Sequence, residues 1–291
     1  MIATLARLIL GLVLTTGTTS VAKAACFSLS VPSGPVTVNY NPLNASDTTQ
    51  SFTIQITNNT CGSATAQKLN ISNVPLADDN SPIGTPVNNG YKSRAIRGAQ
   101  VVQFDRDTPD SSSESFGTLA NGQSATAQWD LLIGHNAVIP YAKRDFTMYV
   151  VGRMQSHTIY IAVPVHINVA TVTQLSFAGA ATTLTMDFGA LASNATQTIN
   201  VSAQATVPFD ISWSSENNGV MKNVGSTGWS VPYTATLNGT GVSNSTPYSD
   251  TTLGGTQGAI TSLPLVVTVG DASSKRAGTY RDVVTITISP H

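Results

Sequence analysis

Residues 277–289 read Ala277-Gly278-Thr279-Tyr280-Arg281-Asp282-Val283-Val284-Thr285-Ile286-Thr287-Ile288-Ser289. Tyr280, Val284, Ile286 and Ile288 share one parity, and Arg281, Thr285 and Thr287 the other. Alternation of apolar and polar side chains with period two marks a strand with one face on a core. The pattern recurs upstream, where Phe52, Ile54 and Ile56 alternate with Thr53 and Gln55, and Ile199 and Val201 with Asn200 and Ser202. Helical periodicity is nearly absent beyond the N-terminus. Asn-Gly pairs at Asn89-Gly90, Asn121-Gly122, Asn218-Gly219 and Asn238-Gly239 supply the left-handed residues that tight hairpins need. The chain is predicted to be all-β, built as Ig-like sandwiches.

Composition narrows the function classes. Of 291 residues, 10% are charged, against roughly 25% in an ordinary soluble domain. A formal net charge of −1 supplies no basic stripe for nucleic acid. Hydrophobic residues at 41% suffice for a core, and the length fits two domains. Residues 1–24 read as a secretory signal: Arg7, the apolar run Leu8-Ile9-Leu10-Gly11-Leu12-Val13-Leu14, then Ala22-Lys23-Ala24 as a small-x-small cleavage site. The mature chain is expected to begin at Ala25. The run is too short to span a bilayer, and Lys23 spoils a lipobox ahead of Cys26. Cys26 and Cys61 are the two cysteines. An exported chain with an even count is expected to pair them, the alternative being two free buried thiols. Such closure contributes about 2–4 kcal/mol through the unfolded state.

The chain repeats weakly. Tyr40-Asn41-Pro42-Leu43 and the following Thr49-Gln50-Ser51-Phe52-Thr53-Ile54 match Phe188-Gly189-Ala190-Leu191 and Thr196-Gln197-Thr198-Ile199-Asn200-Val201. Residues 141–151 match residues 280–288. Two matches in the same order point to a duplication, with domains over 25–169 and 170–291. The halves differ at their ends. After the strand at 146–151 the first half continues with a further strand at 157–169, whereas the second half ends at His291. A sandwich without its last strand leaves unpaired backbone above exposed core. The expected walls of that groove are Leu184, Met186 and Phe188 on one side and Tyr280, Val284, Ile286 and Ile288 on the other. Such an edge invites a strand from another chain.

The segments Asp187-Phe188-Gly189-Ala190-Leu191, Ser215-Glu216-Asn217-Asn218-Gly219 and Ala277-Gly278-Thr279-Tyr280-Arg281-Asp282 carry a specific likeness. Through them, residues of about 172–291 resemble the pilin domains of archaic chaperone–usher pili, the spore coat protein U family. The two-domain layout is similar to Csu-type tip adhesins. That resemblance implies an N-terminal adhesin domain over 25–169 and an incomplete C-terminal pilin domain over 170–291. The implied partners are a periplasmic chaperone, an outer-membrane usher and an adjacent pilin that donates its N-terminal strand. The implied location is a pilus tip on the cell surface, where the chain attaches to an abiotic or host surface in biofilm formation. With Cys26 one residue beyond the cleavage site, no free donor segment is expected, as suits a terminal subunit.

Strand direction puts the loops at 61–67, 106–115 and 152–156 at the far end of the first domain. The candidate adhesive residues there are Asp107, Pro109 and Met154. Leu76, Ile83 and Val87 are more apolar candidates, expected near the linker or at the far end according to the strand count between residues 68 and 103. Trp129, Trp213 and Trp229 are expected to anchor cores, and Lys92, Arg94 and Arg97 to guard an edge strand. Asp105, Asp107 and Asp110 lack the spacing and glycine of a calcium loop. No Gly-x-Ser-x-Gly elbow or paired-histidine motif occurs, so neither catalysis nor a cofactor or metal is expected. Two other readings stay open: a structural coat or shaft subunit, and a secreted carbohydrate-binding or hydrolytic sandwich.

Overall fold

The structure is a computed structural model that describes residues 20–23, 26–62, 67–76, 82, 85–155, 157–177, 179, 181–252 and 255–291. Most of the expected signal segment, its cleavage point and Ile83 lie outside the described residues.

The first half contains β1 (Ser20–Lys23), β2 (Phe27–Val31), β3 (Val36–Tyr40), β4 (Thr48–Asn58), β5 (Gln67–Ser72), β6 (Ser93–Arg97), β7 (Gln100–Gln103), β8 (Ser111–Phe116), β9 (Ser124–Ile133), β10 (Asp145–Met154) and β11 (His157–Val169). One sheet runs β1-β2-β4-β9-β6-β7 and the other β3-β11-β10-β5-β8. Their facing sides meet as predicted by the period-two pattern. Phe52, Ile54 and Ile56 of β4 pack with Ala127, Trp129 and Leu131 of β9 against Met148 and Val150 of β10 and Ile161, Val163, Val165 and Ile167 of β11. Each of the Val, Leu, Ile, Phe and Met side chains among them gains about 1.5–3 kcal/mol from burial, and these residues are almost wholly shielded from solvent.

The second half contains β12 (Thr173–Phe177), β13 (Thr196–Ala205), β14 (Phe209–Ser215), β15 (Val220–Asn223), β16 (Ser230–Leu237), β17 (Thr240–Val242), β18 (Tyr248–Asp250), β19 (Ile260–Val269), β20 (Tyr280–Arg281) and β21 (Val284–Pro290). The larger sheet runs β12-β13-β19-β16-β15-β20, with β17 also on β16, and the smaller runs β18-β14-β21. Asn238 and Gly239, at φ 50° and 80°, make the tight turn between β16 and β17 that two left-handed residues favour. The chain passes between the sandwiches at Ala170. Its N–H donates to the Tyr40 carbonyl at 2.8 Å, and its carbonyl accepts from Thr206 Oγ1 at 2.7 Å.

Two expectations fail. Trp129 and Trp213 are buried, but Trp229 is 39% exposed in the turn ahead of β16 and anchors no core. The basic cluster is not on an edge. β6, carrying Arg94 and Arg97, lies between β9 and β7 and leaves the edge to β7.

Candidate functional site

The two sandwiches share a plan, which makes their one large difference measurable. In the first, β11 fills the slot between β10 and β3, antiparallel to β10 (Val150 opposite Ile161) and parallel to β3 (Ile167 opposite Val38). In the second, β21 occupies the place of β10 and β14 the place of β5, with Ile286 opposite Trp213 and Ile288 opposite Ile211. The outer edge of β21 has no partner strand among the described residues. The counterpart of β3 is residues 181–191, which form no strand.

Side-chain burial follows that difference. In the first sandwich Val36, Val38 and Tyr40, on the strand beside β11, are 3%, 0% and 2% exposed. Their counterparts by the repeat are Leu184, Met186 and Phe188. Leu184 is 49% exposed, and Met186 and Phe188 are half-buried. Val284, Ile286 and Ile288 are likewise half-buried, alternating with exposed Thr285 and Thr287. Leu175 and Phe177, which alternation alone did not single out, and Ile199 join the same half-covered set against the core of Val201, Phe209, Ile211 and Leu263. A row of unpaired backbone groups thus flanks a strip of incompletely covered apolar side chains, which is the geometry that strand addition requires.

Tyr280 does not belong to this wall. The strand expected over 280–288 is broken: Tyr280 and Arg281 pair with β15 in the larger sheet, and pairing with β14 in the smaller sheet begins at Val284. The chain changes sheets at Asp282 and Val283, so parity does not carry across. Tyr280 packs instead near Met221, Val231 and Val269, and its hydroxyl donates to the Arg276 carbonyl at 2.7 Å.

At the far end of the first sandwich, Cys26 and Cys61 form a disulfide with Cα atoms 4.8 Å apart. Gln155 Nε2 donates to the Cys61 carbonyl at 2.7 Å, and the Gly62 N–H to Asn121 Oδ1 at 2.8 Å. This cross-braced end is polar. The expected adhesive residues do not gather there. Met154, the last residue of β10, still points inward and is 0% exposed. Leu76 is buried with Val74 and Val151, where the chain after β5 folds back over the outer face of β10. Val87 is half-buried, its N–H bonded to the Asn73 carbonyl at 2.8 Å. Asp107 and Pro109 are exposed, but they precede Ser111, which pairs with Ser72 at the end of β5 away from Cys61. Asp107 there accepts from Asn88 Nδ2 at 2.8 Å, and the Asn88 carbonyl accepts from Lys143 Nζ at 3.2 Å. The turn at 106–110 therefore faces the linker side.

Among the described residues no group of three or more His, Cys, Asp or Glu side chains is placed to hold a metal. The carboxyl of Asp210, beside the end of β21, is held below the usual range by the Ser249 hydroxyl and then the His291 ring. The Tyr233 phenol is raised by burial and by its bond to Asp282.

No protein-family model matches the chain, and no curated protein matches it in sequence. Among solved structures, it is similar to a chain of a chaperone–tip adhesin complex of CFA/I fimbriae biogenesis, with TM-score 0.46 and 11% identity over 89% of this chain and 97% of that one. The CupB6 tip adhesin from Pseudomonas aeruginosa matches with TM-score 0.34 and 11% identity over 90% and 94%. A chain of the CsuC–CsuE chaperone–tip adhesion subunit pre-assembly complex of archaic Csu pili from Acinetobacter baumannii matches with TM-score 0.28 and 8% identity over 89% and 99%.

Proposed function

We propose that this chain is the tip subunit of an archaic chaperone–usher pilus, with an adhesin domain over 25–169 and a strand-accepting pilin domain over 170–291. The observation that carries this reading is the open edge of β21 above half-buried Met186, Phe188, Val284, Ile286 and Ile288, beside a first sandwich whose equivalent slot is filled by its own β11. A chain with one filled and one open slot suits a fibre end. Its function is attachment to a surface, without chemistry. A periplasmic chaperone lends a strand to the groove; at an outer-membrane usher the N-terminal extension of the adjacent pilin replaces it. Better packing of the donated side chains drives the exchange. The disulfide at the far end stiffens the part that meets the surface, and attachment to abiotic or host surfaces supports biofilm formation.

The test is soluble periplasmic yield of the chain alone, with a co-expressed pilus chaperone, and with an alternating donor strand fused after His291 through a flexible linker. The proposal expects rescue by chaperone and by fusion. Equal yield of a cooperatively melting monomer in all three would overturn it and favour a self-sufficient secreted sandwich.

A further inference from the structure

The wall formed by β21 has a holding device at its start. Between Arg281, still paired to β15, and Val284, already paired to β14, the chain crosses from one sheet to the other. Strands that switch sheets leave polar backbone at the corner that must find other partners. Asp282 sits at that corner and gathers five donors. Its Oδ2 accepts from Ser215 Oγ at 2.6 Å and Tyr233 Oη at 2.5 Å. Its Oδ1 accepts from the Asn217 N–H at 3.2 Å, Asn217 Nδ2 at 2.9 Å and the Val283 N–H at 2.9 Å. An ionised carboxylate has about four lone-pair sites, so this one is saturated. Four of the five donors come from the end of β14, the turn after it and β16, so a single side chain ties both sheets to the entry of β21.

We propose that Asp282 is the positioning residue of the open groove: it fixes β21 at the sheet crossing, so that Val284, Ile286 and Ile288 stay aligned for an incoming strand while their outer edge is unpaired. The proposal rests on the reading of the groove as a strand acceptor. Once a strand is seated, β21 is held on both edges and the Asp282 contacts become largely redundant.

The test uses the full mature chain in two forms, one ending at His291 and one carrying a copy of the β11 sequence, residues 157–169, after His291 through a flexible linker. Backbone hydrogen exchange over residues 283–290 is followed in both, for the wild type, Asp282→Ala, Asp282→Asn and Tyr233→Phe. In wild type the fused strand must slow exchange over β21; if it does not, the groove reading itself fails, whatever Asp282 does. Given that control, Asp282→Ala is expected to speed exchange over β21 at least tenfold in the unfused form and less than threefold in the fused form, with β13 and β19 unchanged. Asp282→Asn, which keeps one carbonyl acceptor, should fall between, as should Tyr233→Phe, which removes one donor. Unchanged exchange in the unfused variants would overturn the proposal. So would equal acceleration in both forms, or acceleration spread over β13 and β19, because those results describe general destabilisation. If Asp282→Ala does not fold, the Tyr233→Phe comparison decides by the same criteria.

Discussion

Val38 and Met186 hold matching places in the two halves of the repeat, yet Val38 is wholly buried and Met186 only half-buried. The difference goes with what lies beside them. Val38 stands beside Ile167 of β11, while Met186 faces a slot that no described strand fills. Hydrophobic stabilisation scales with area removed from water, so a strand entering that slot has uncovered apolar surface to bury.

Core truncations should therefore behave differently in the two sandwiches. Ile167→Ala removes a fully buried side chain and is expected to destabilise the first sandwich by about 2–5 kcal/mol. Ile286→Ala in the chain ending at His291 is expected to cost the second sandwich about half as much or less, since part of its surface is already wet. With a donor strand fused, the cost of Ile286→Ala should rise into the full range. Urea unfolding of each variant, with the two transitions resolved, checks this.

Cys26 and Cys61 join β2 to the end of β4 at the far end of the first sandwich. Replacing both by serine should cost the first sandwich about 2–4 kcal/mol and leave the second transition in place. Calorimetry of the oxidised chain, the reduced chain and the double variant measures it; equal melting of all three would show that the bridge contributes nothing.

Gly278 stands at φ 153°, and a methyl group added there would lie 2.4 Å from Asn223 Nδ2. Gly278→Ala forces the Asn223 amide to turn away and places an L side chain at a strained positive φ, just ahead of the sheet crossing. A cost of about 1–3 kcal/mol is expected, with exchange accelerated over residues 280–284 first. Uniform acceleration across the domain would argue against a local clash.

The end of β21 is tied by Asp210, which accepts from Ser249 Oγ at 2.5 Å and meets His291 Nδ1 at 3.2 Å. Its depressed pKa means that the folded state favours the ionised form. The resulting stabilisation is fully present above the unfolded value, near about 3.9, and is lost as pH falls through the lower folded value. Asp210→Asn should lower the melting temperature of the second sandwich at neutral pH and converge with wild type at the acid end. Parallel curves at all pH values would contradict this.

The alternation of Phe52, Ile54 and Ile56, or of Val284, Ile286 and Ile288, was legible in the sequence because a strand with one covered face must repeat every two residues. The different surroundings of β10 and β21 could be anticipated for the same reason, through a comparison of two similar halves. Other features depend on contacts distant in sequence. Tyr280 keeps the parity of Val284 but belongs to the other sheet, because the crossing at Asp282 interrupts the strand. Met154 reads as a loop residue, yet β10 continues through it and aims it into the core. Leu76 is covered because the segment after β5 folds back onto Val151, a packing choice no local pattern encodes. The corner at Asp282 was present as a motif, but its donors Ser215, Asn217 and Tyr233 lie 67, 65 and 49 residues away.

The most direct measurement is thermal unfolding of the mature chain carrying either the β11 sequence or a scrambled polar segment of equal length after His291. A strand that seats in the open slot should raise the midpoint of the second sandwich by about 4–8 °C, the shift expected for a gain of one to two kcal/mol in a domain of this size, and leave the first unchanged. Coincident midpoints for the two fusions would show that the edge of β21 accepts no strand and would contradict the account.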